Sequence, residues 1–178
     1  MSLDIDVIVS GGSAATGPAK KATATIPIVM TNDPDPVANG FVASLARPGG
    51  NVTGLATLSP AISGKRLELL NEIVPKLSRV AVFGSSTEPN DAQAFKEVEL
   101  AAKALAIELQ YIDIRDSKDL EAGFTDARNG RADALLVLSG ARFVFQQRRI
   151  VELAAKNRLP AIYHRSEFVE AGGLMSYA

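Results

Sequence analysis

From Arg79 onward, short apolar runs alternate with longer amphipathic stretches, and no other feature of the sequence restricts the fold as much. Residues 80–83 read as a buried strand and residues 90–106 as a helix opened by Pro89. Residues 109–114 and 117–129 repeat the pair, with Ser117 as the expected helix N-cap. Residues 134–138 and 145–157 repeat it again. Residues 161–164 then form a strand, 167–171 a short helix and 174–177 a last strand beyond Gly172 and Gly173. Strands apolar on both faces, separated by helix-length segments, belong to a parallel sheet covered by helices on each side. The expected class is α/β, with three-layer, Rossmann-like parallel sheets.

The first part of the chain has the same rhythm with more interruptions. Residues 5–9 are a β-branched run, broken by Ser10-Gly11-Gly12-Ser13. Residues 14–24 are rich in Ala and Lys and read as a helix, although Gly17-Pro18 works against its first half. Residues 26–30 form a second buried strand. Turn-forming residues fill 31–36, a helix is expected over 37–46, and Arg47-Pro48-Gly49-Gly50-Asn51 ends it. Residues 52–58 alternate as a strand does. After a change of direction at 59–63, residues 64–74 form an amphipathic helix, with Leu67, Leu70 and Val74 on one face and Lys65, Glu68 and Glu72 on the other. The segment 55–60 reads as a crossing between lobes. The expected division is therefore a partial N-terminal lobe, residues 1–57, and a second Rossmann-like lobe, residues 58–178.

Composition narrows the function. The 178 residues carry a net charge of -1, which supplies no basic field for nucleic acid. There is no cysteine, so thiolate metal sites, disulfides and a cysteine nucleophile are excluded. No apolar run approaches the ~18 residues that span a bilayer. No secretory leader precedes Asp4, and a chain that opens inside a strand and stops at Tyr177-Ala178 reads as a trimmed piece.

In parallel sheets, ligands bind beyond the carboxyl ends of the strands. The loop after residue 84, with Ser85, Ser86, Thr87 and Asn90, is the first such place. Its hydroxyls and a helix N-terminus suit a carboxylate or similar anion. Ser139, Arg142 and Phe143 occupy the equivalent position one unit later. There Arg142 grips a carboxylate or is an exposed surface arginine, and Phe143 or Phe145 covers an apolar ligand or joins the core. His164 ends the next strand. In the first lobe, Ser13 and Asp35 stand at strand ends. Asp35 reads equally as a ligand contact and as the cap of a turn, and the pair Asp33 and Asp35 only faintly resembles a glycosidase acid and base. The Gly11-Gly12 turn lacks the spacing of a phosphate-binding loop.

Catalysis finds no set of residues. Ser85 follows Gly84, but Thr87 stands where the second glycine of a nucleophile elbow belongs. His164 is the single histidine; a triad would need it, but a lone histidine at a strand end is more often a packing or ligand-contact residue than a base, and one imidazole does not anchor a metal centre. No catalytic residue, metal or cofactor is expected. Polar loops that converge without a nucleophile and base describe a binding site for a small molecule. The alternatives are a ligand-sensing lobe of a transcription regulator and a doubly wound enzyme acting on a small phosphorylated or carboxylate substrate.

The strings DVIVSGGSAA, ATIPIVMTNDPDPVANGFVASLARPGGNVTGL, RVAVFGSSTEPN, ADALLVLSG and RRIVELAAKNRLPAIYHRSEFVEAGGLMSYA follow one another in this order. Together they resemble the ABC-transporter substrate-binding protein family of the tryptophan/tyrosine type. The resemblance covers essentially the whole chain. It implies the type I periplasmic-binding-protein fold, with part of lobe one and most of lobe two present here. It also implies a small-molecule solute, of the amino-acid or small-carboxylate kind, bound in an interlobe cleft without turnover. The ligand would meet Ser13, Asp35, residues 85–90, residues 139–143 and the region of His164. The implied partner is an ABC permease in the membrane, and the implied location of the parent protein is periplasmic or lipid-anchored outside the cytoplasm. Lobe-one sheet edges left unpaired in a shortened chain favour a homodimer.

Overall fold

The computed structural model describes residues 5–57, 62–88 and 90–178. Pro89, expected to open a helix, the start of the chain before Ile5 and residues 58–60 of the lobe crossing expected over 55–60 lie outside the described residues. The backbone forms two compact units, Met1–Leu58 and Ser59–Ala178.

The first unit is a parallel three-stranded sheet in the order β1 (Ile8–Ser10), β2 (Ile28–Asp33), β3 (Val52–Ala56), with helix α1 (Ser13–Ala22) between the first two strands. Ile28 pairs with Ile8 on one side and Val52 on the other. Ile28, Met30 and Val52 bury the inner face together with Val42. Gly54 is required where β3 meets β2: its φ is 143°, and a Cβ there would collide with the Met30 backbone. Helix α1 runs through Gly17 and Pro18 to Ala22.

The expected helix over 37–46 does not form. Residues 36–40 make a single turn, in which Phe41 N–H and Val42 N–H both donate to the Pro36 carbonyl. Gly40, at φ 68°, ends it. The Ala43 amide then turns away to the carbonyl of Pro48. The left-handed Gly40 inside this stretch outweighs its helix-favouring alanines.

The second unit opens with α2 (Ser63–Ile73). It continues through β4 (Arg79–Gly84), α3 (Asp91–Leu105), β5 (Glu108–Asp113), α4 (Asp119–Asn129) and β6 (Ala134–Val137). It closes with α5 (Ala141–Phe145), α6 (Gln147–Lys156), β7 (Ala161–Tyr163), α7 (Glu167–Glu170) and β8 (Met175–Ser176). All five strands are parallel, in the order β5-β4-β6-β7-β8. Successive residues of β4 serve opposite faces. Ala81 and Phe83 join Phe124, Ile150 and Phe168 on one side. Val80 and Val82 join Leu67, Leu70 and Val98 on the other. Helices α2 and α3 thus cover one face and α4, α6 and α7 the other, which makes three layers.

Two helix boundaries differ from expectation. The single helix over 145–157 is two, α5 and α6, with Gln146 at the junction. The N-cap of α4 is Lys118 rather than Ser117. Asp119 closes that end, its carboxylate accepting from the amides of Arg115 and Asp116 at 2.9 and 2.8 Å.

Candidate ligand-binding site

The chain leaves β4 through α3 to β5 on one side, then crosses back through α4 to β6 on the other side of β4. Connections therefore diverge between the carboxyl ends of β4 and β6, and a doubly wound sheet opens a crevice at such a point. A cleft of about 370 Å³ lies there, lined by Glu88, Asp116, Ser117, Arg142, Phe145 and Gln146. Glu88 comes from the loop after β4, Asp116 and Ser117 from the loop after β5, and the others from α5 and the junction beyond it.

In the β4 loop, Ser85 is buried and its hydroxyl lies 2.9 Å from that of Thr87. Ser86 is exposed, but its amide and hydroxyl both donate to the Asp113 carboxylate at 2.8 Å. Burial acts to raise the pKa of Asp113; the Ser86 donors and the Arg115 guanidinium outweigh it and hold the carboxyl below the usual range. Asn90 occupies the N-cap position of α3, its carbonyl accepting the Ala94 amide. The first residue of α3, Asp91, is buried, and Tyr111 donates its hydroxyl to the carboxylate. The α3 terminus expected to attract a ligand anion thus already carries a carboxyl. Burial pushes the Asp91 pKa up, opposed by the Tyr111 hydroxyl and the Ser85 backbone. Gly84 makes this arrangement sterically feasible: a Cβ would stand 2.5 Å from the Asp91 carboxylate and 2.6 Å from the Tyr111 ring.

Beyond β6, Ser139 is half-buried and Gly140 begins α5. Arg142 is half-buried, one Nη donating to Thr87 Oγ1 at 3.5 Å, while its buried Nε has no acceptor among the described residues. Phe143 turns inward and packs in the core. Phe145 is the ring that stands free, 85% exposed at the cleft.

At the end of β7, His164 is buried against Phe168, ring centroids 5.3 Å apart, and its Nδ1 has no partner among the described residues. Burial lowers its pKa to about 3, helped by the positive charges of Arg66 and Arg165 and opposed by Glu167. Arg66 is buried on α2, its Nε donating to the Tyr177 carbonyl at 2.7 Å and an Nη to Ser63 Oγ at 3.2 Å. Burial lowers its pKa to about 10.

In the first unit, Ser13 donates to the Asp33 carboxylate at 2.8 Å. Asn39 donates to Asp33 at 3.0 Å and to Ser13 Oγ at 3.1 Å. Asp33, fully buried, also accepts the Asp35 amide at 3.0 Å. Asp35 accepts the amide of Ala38 at 3.0 Å, as the cap of the 36–40 turn. The buried carboxylate beside Ser13 is thus Asp33. No sequence signal marks it: alternation from Ile28 and Met30 would turn Asn32 inward, and the register shift between Met30 and Asp33 buries Asp33 instead.

The described residues bring the hydroxyl of Ser85 to Thr87 and not to an imidazole. No group of three or more His, Cys, Asp or Glu among them gathers as a metal site. No helix of the described residues is long and apolar enough to cross a membrane.

The fold is that of type I periplasmic binding proteins. The profile of the ABC transporter substrate binding protein family matches residues 1–178, and the chain belongs to that family. A tyrosine-binding protein of Clostridioides difficile (strain R20291) is 30% identical over 169 residues, covering 95% of this chain and 48% of that protein. The chain thus spans about half the length of this curated relative. The crystal structure of a conserved domain protein from Vibrio cholerae superposes with a TM-score of 0.87 at 26% identity, over 98% of this chain and 59% of that one. An ABC domain from Streptococcus pneumoniae, solved in complex with L-Trp, gives 0.84 at 22% identity, over 97% and 58%.

Proposed function

We propose that the parent protein is the extracytoplasmic solute receptor of an ABC uptake system. It holds an amino acid or similar small carboxylate in a cleft closed by its two lobes, and passes it unchanged to a membrane permease. The cleft between the ends of β4, β5 and β6 carries this reading: it offers a cation, two carboxylates and an exposed ring, a set suited to recognition. Neighbouring groups give no support to turnover. Ser85 faces Thr87, and His164 is buried as the neutral imidazole. The relative named for tyrosine supports an amino-acid ligand. Ser13, Asp35, Ser85, Ser86, Thr87, Asn90, Ser139, Arg142 and His164 are proposed as the walls of the full receptor's site, with Phe143 supporting them from the core.

Thermal-shift and calorimetric titration of the full-length receptor with the twenty amino acids tests this. A ligand at a hundredfold excess over its Kd adds about 2.7 kcal/mol of stability, so at least one amino acid should raise Tm clearly. No shift with any of them, or release of a chemically altered product, would overturn the reading. The sheet of the first unit ends on two edge strands, β1 and β3, and such edges recruit partners. We infer that this chain pairs in solution; light scattering that finds only an 18.8 kDa species would refute the pairing.

A further inference from the structure

With β4 taken as the first strand, the five-stranded sheet runs in the order 2-1-3-4-5, one of the common orders of doubly wound sheets. Such a sheet has a standard seat for an anionic group. It is the loop after the first strand, where free amides and a helix N-terminus face the switch point. Here that loop is residues 85–90, between β4 and α3, and its donors are already taken. The Ser86 amide and hydroxyl both donate to Asp113 at 2.8 Å. The Glu88 amide donates to the Ser85 carbonyl at 2.9 Å and the Asp91 amide to the Glu88 carbonyl at 3.2 Å. Pro89 has no N–H to give. The hydroxyls of Ser85 and Thr87 pair with each other.

Strand register explains why a carboxylate takes Ser86. Asp113 stands opposite Gly84 in the β4–β5 pair, beside the point where the loop leaves the sheet. It also accepts from Arg115 Nε at 2.6 Å. An amide, a hydroxyl and a guanidinium around one carboxylate form a donor set of the kind that holds phosphate or sulfate. Asp91, at the start of α3, adds a second carboxyl. Its Oδ2 takes the Tyr111 hydroxyl, and its buried Oδ1 has no donor among the described residues. The helix terminus therefore has an acceptor in excess, and an incoming anion brings only more acceptors. We propose that Asp113 and Asp91 are specificity residues that fill this seat from within, so that the second lobe rejects phosphate, sulfate and phosphorylated solutes at the β4 loop. As a rule of ligand choice this rests on the receptor reading above; the filled seat is a property of the loop itself.

The test titrates inorganic phosphate into the full-length receptor at neutral pH and follows the Ser86 amide by NMR. Arg142 stands near the loop on the β6 side, and the Ser86 signal separates phosphate in the seat from phosphate at that arginine. Wild type should show no saturable shift of this amide. The Asp113 side chain is 24% exposed, so solvent anions reach the place once the carboxylate is removed. Asp113→Ala frees Ser86 and Arg115 and should bind phosphate at least about tenfold more tightly than wild type, with the Ser86 amide moving in step. Asp113→Asn keeps an acceptor for Ser86 and loses the charge, so it holds the loop if alanine loosens it; its gain should lie between those of wild type and Asp113→Ala. Adding Asp91→Asn to either should tighten phosphate further, and no further gain would remove Asp91 from the assignment. Saturable binding at Ser86 in wild type, or folded Asp113 variants that bind phosphate no better than wild type, would overturn the proposal. Failure of the amino-acid titration would remove the receptor reading and leave the filled seat standing.

Discussion

At His164, burial and neighbouring charge act in the same direction. Removal from water disfavours the imidazolium, and Arg66 and Arg165 add to the effect. The folded-state pKa of about 3 lies below the ordinary value of 6.5. Above pH 6.5 the group is neutral in both folded and unfolded chains and leaves stability unchanged. As pH falls from 6.5 towards 3, the unfolded chain takes up the proton and the folded one does not, so stability is lost. Below 3 the loss is complete. The slope from this group approaches about 1.4 kcal/mol per pH unit. Asp91 works the other way: its raised pKa means that the folded chain takes up a proton first as pH falls. Comparing wild type with His164→Phe isolates the histidine. Urea midpoints between pH 5 and 6.5 should fall more steeply for wild type than for the variant. Parallel lines would show that His164 is not held neutral.

At the scale of elements, one device recurs at the turns that lead into strands. Lys76, Ala106, Arg131 and Arg158 all have φ between 54° and 58°, each a few residues before β4, β5, β6 or β7. At Ala106 the helix α3 ends in this left-handed conformation, and Ile107 N–H returns to the Ala102 carbonyl. An L-residue pays a steric penalty there that glycine does not. Ala106→Gly should therefore raise stability, on the order of 1 kcal/mol, read as a higher urea midpoint with unchanged slope. A lower midpoint would mean that unfolded-state entropy outweighs the strain. These caps were invisible in the sequence because none uses glycine. The strands were legible, since residues such as Val80, Val82, Leu135 and Val137 are apolar on both faces. The helix expected over 37–46 was not, because its fate depends on Gly40 and on two amides sharing the Pro36 carbonyl. That Arg142 would line a cleft was legible from its place after a strand. The roles of Ser86 and Phe143 were not: Asp113, 27 residues away in sequence, takes the Ser86 hydroxyl, and only packing decides which phenylalanine of α5 turns inward.

Taken as a whole molecule, the chain distributes its apolar burial unequally between its two units. In Ser59–Ala178 the sheet lies between two layers of helices, and both layers bury large side chains, among them Phe83, Phe124, Leu67 and Leu70. In Met1–Leu58 the described core is one-sided, formed by Ile28, Met30, Val42 and Val52. On the opposite face of that sheet, Val9 and Leu55 are 66% and 69% exposed. Hydrophobic burial is the main favourable term in folding and scales with the apolar area removed from water. The first unit therefore has much less to set against its chain entropy, and it should open at lower free energy than the second. Native-state hydrogen exchange can read this directly. The amides of Ile28 and Met30, both within β2, should exchange through openings on the order of 2 kcal/mol or more below those of Val82 and Leu136 at the centre of the five-stranded sheet. In rising urea the two sets should stay separate, the first merging with a sub-global unfolding of its own. Equal protection in both sets, with one common denaturant dependence, would mean that the units unfold as a single cooperative body.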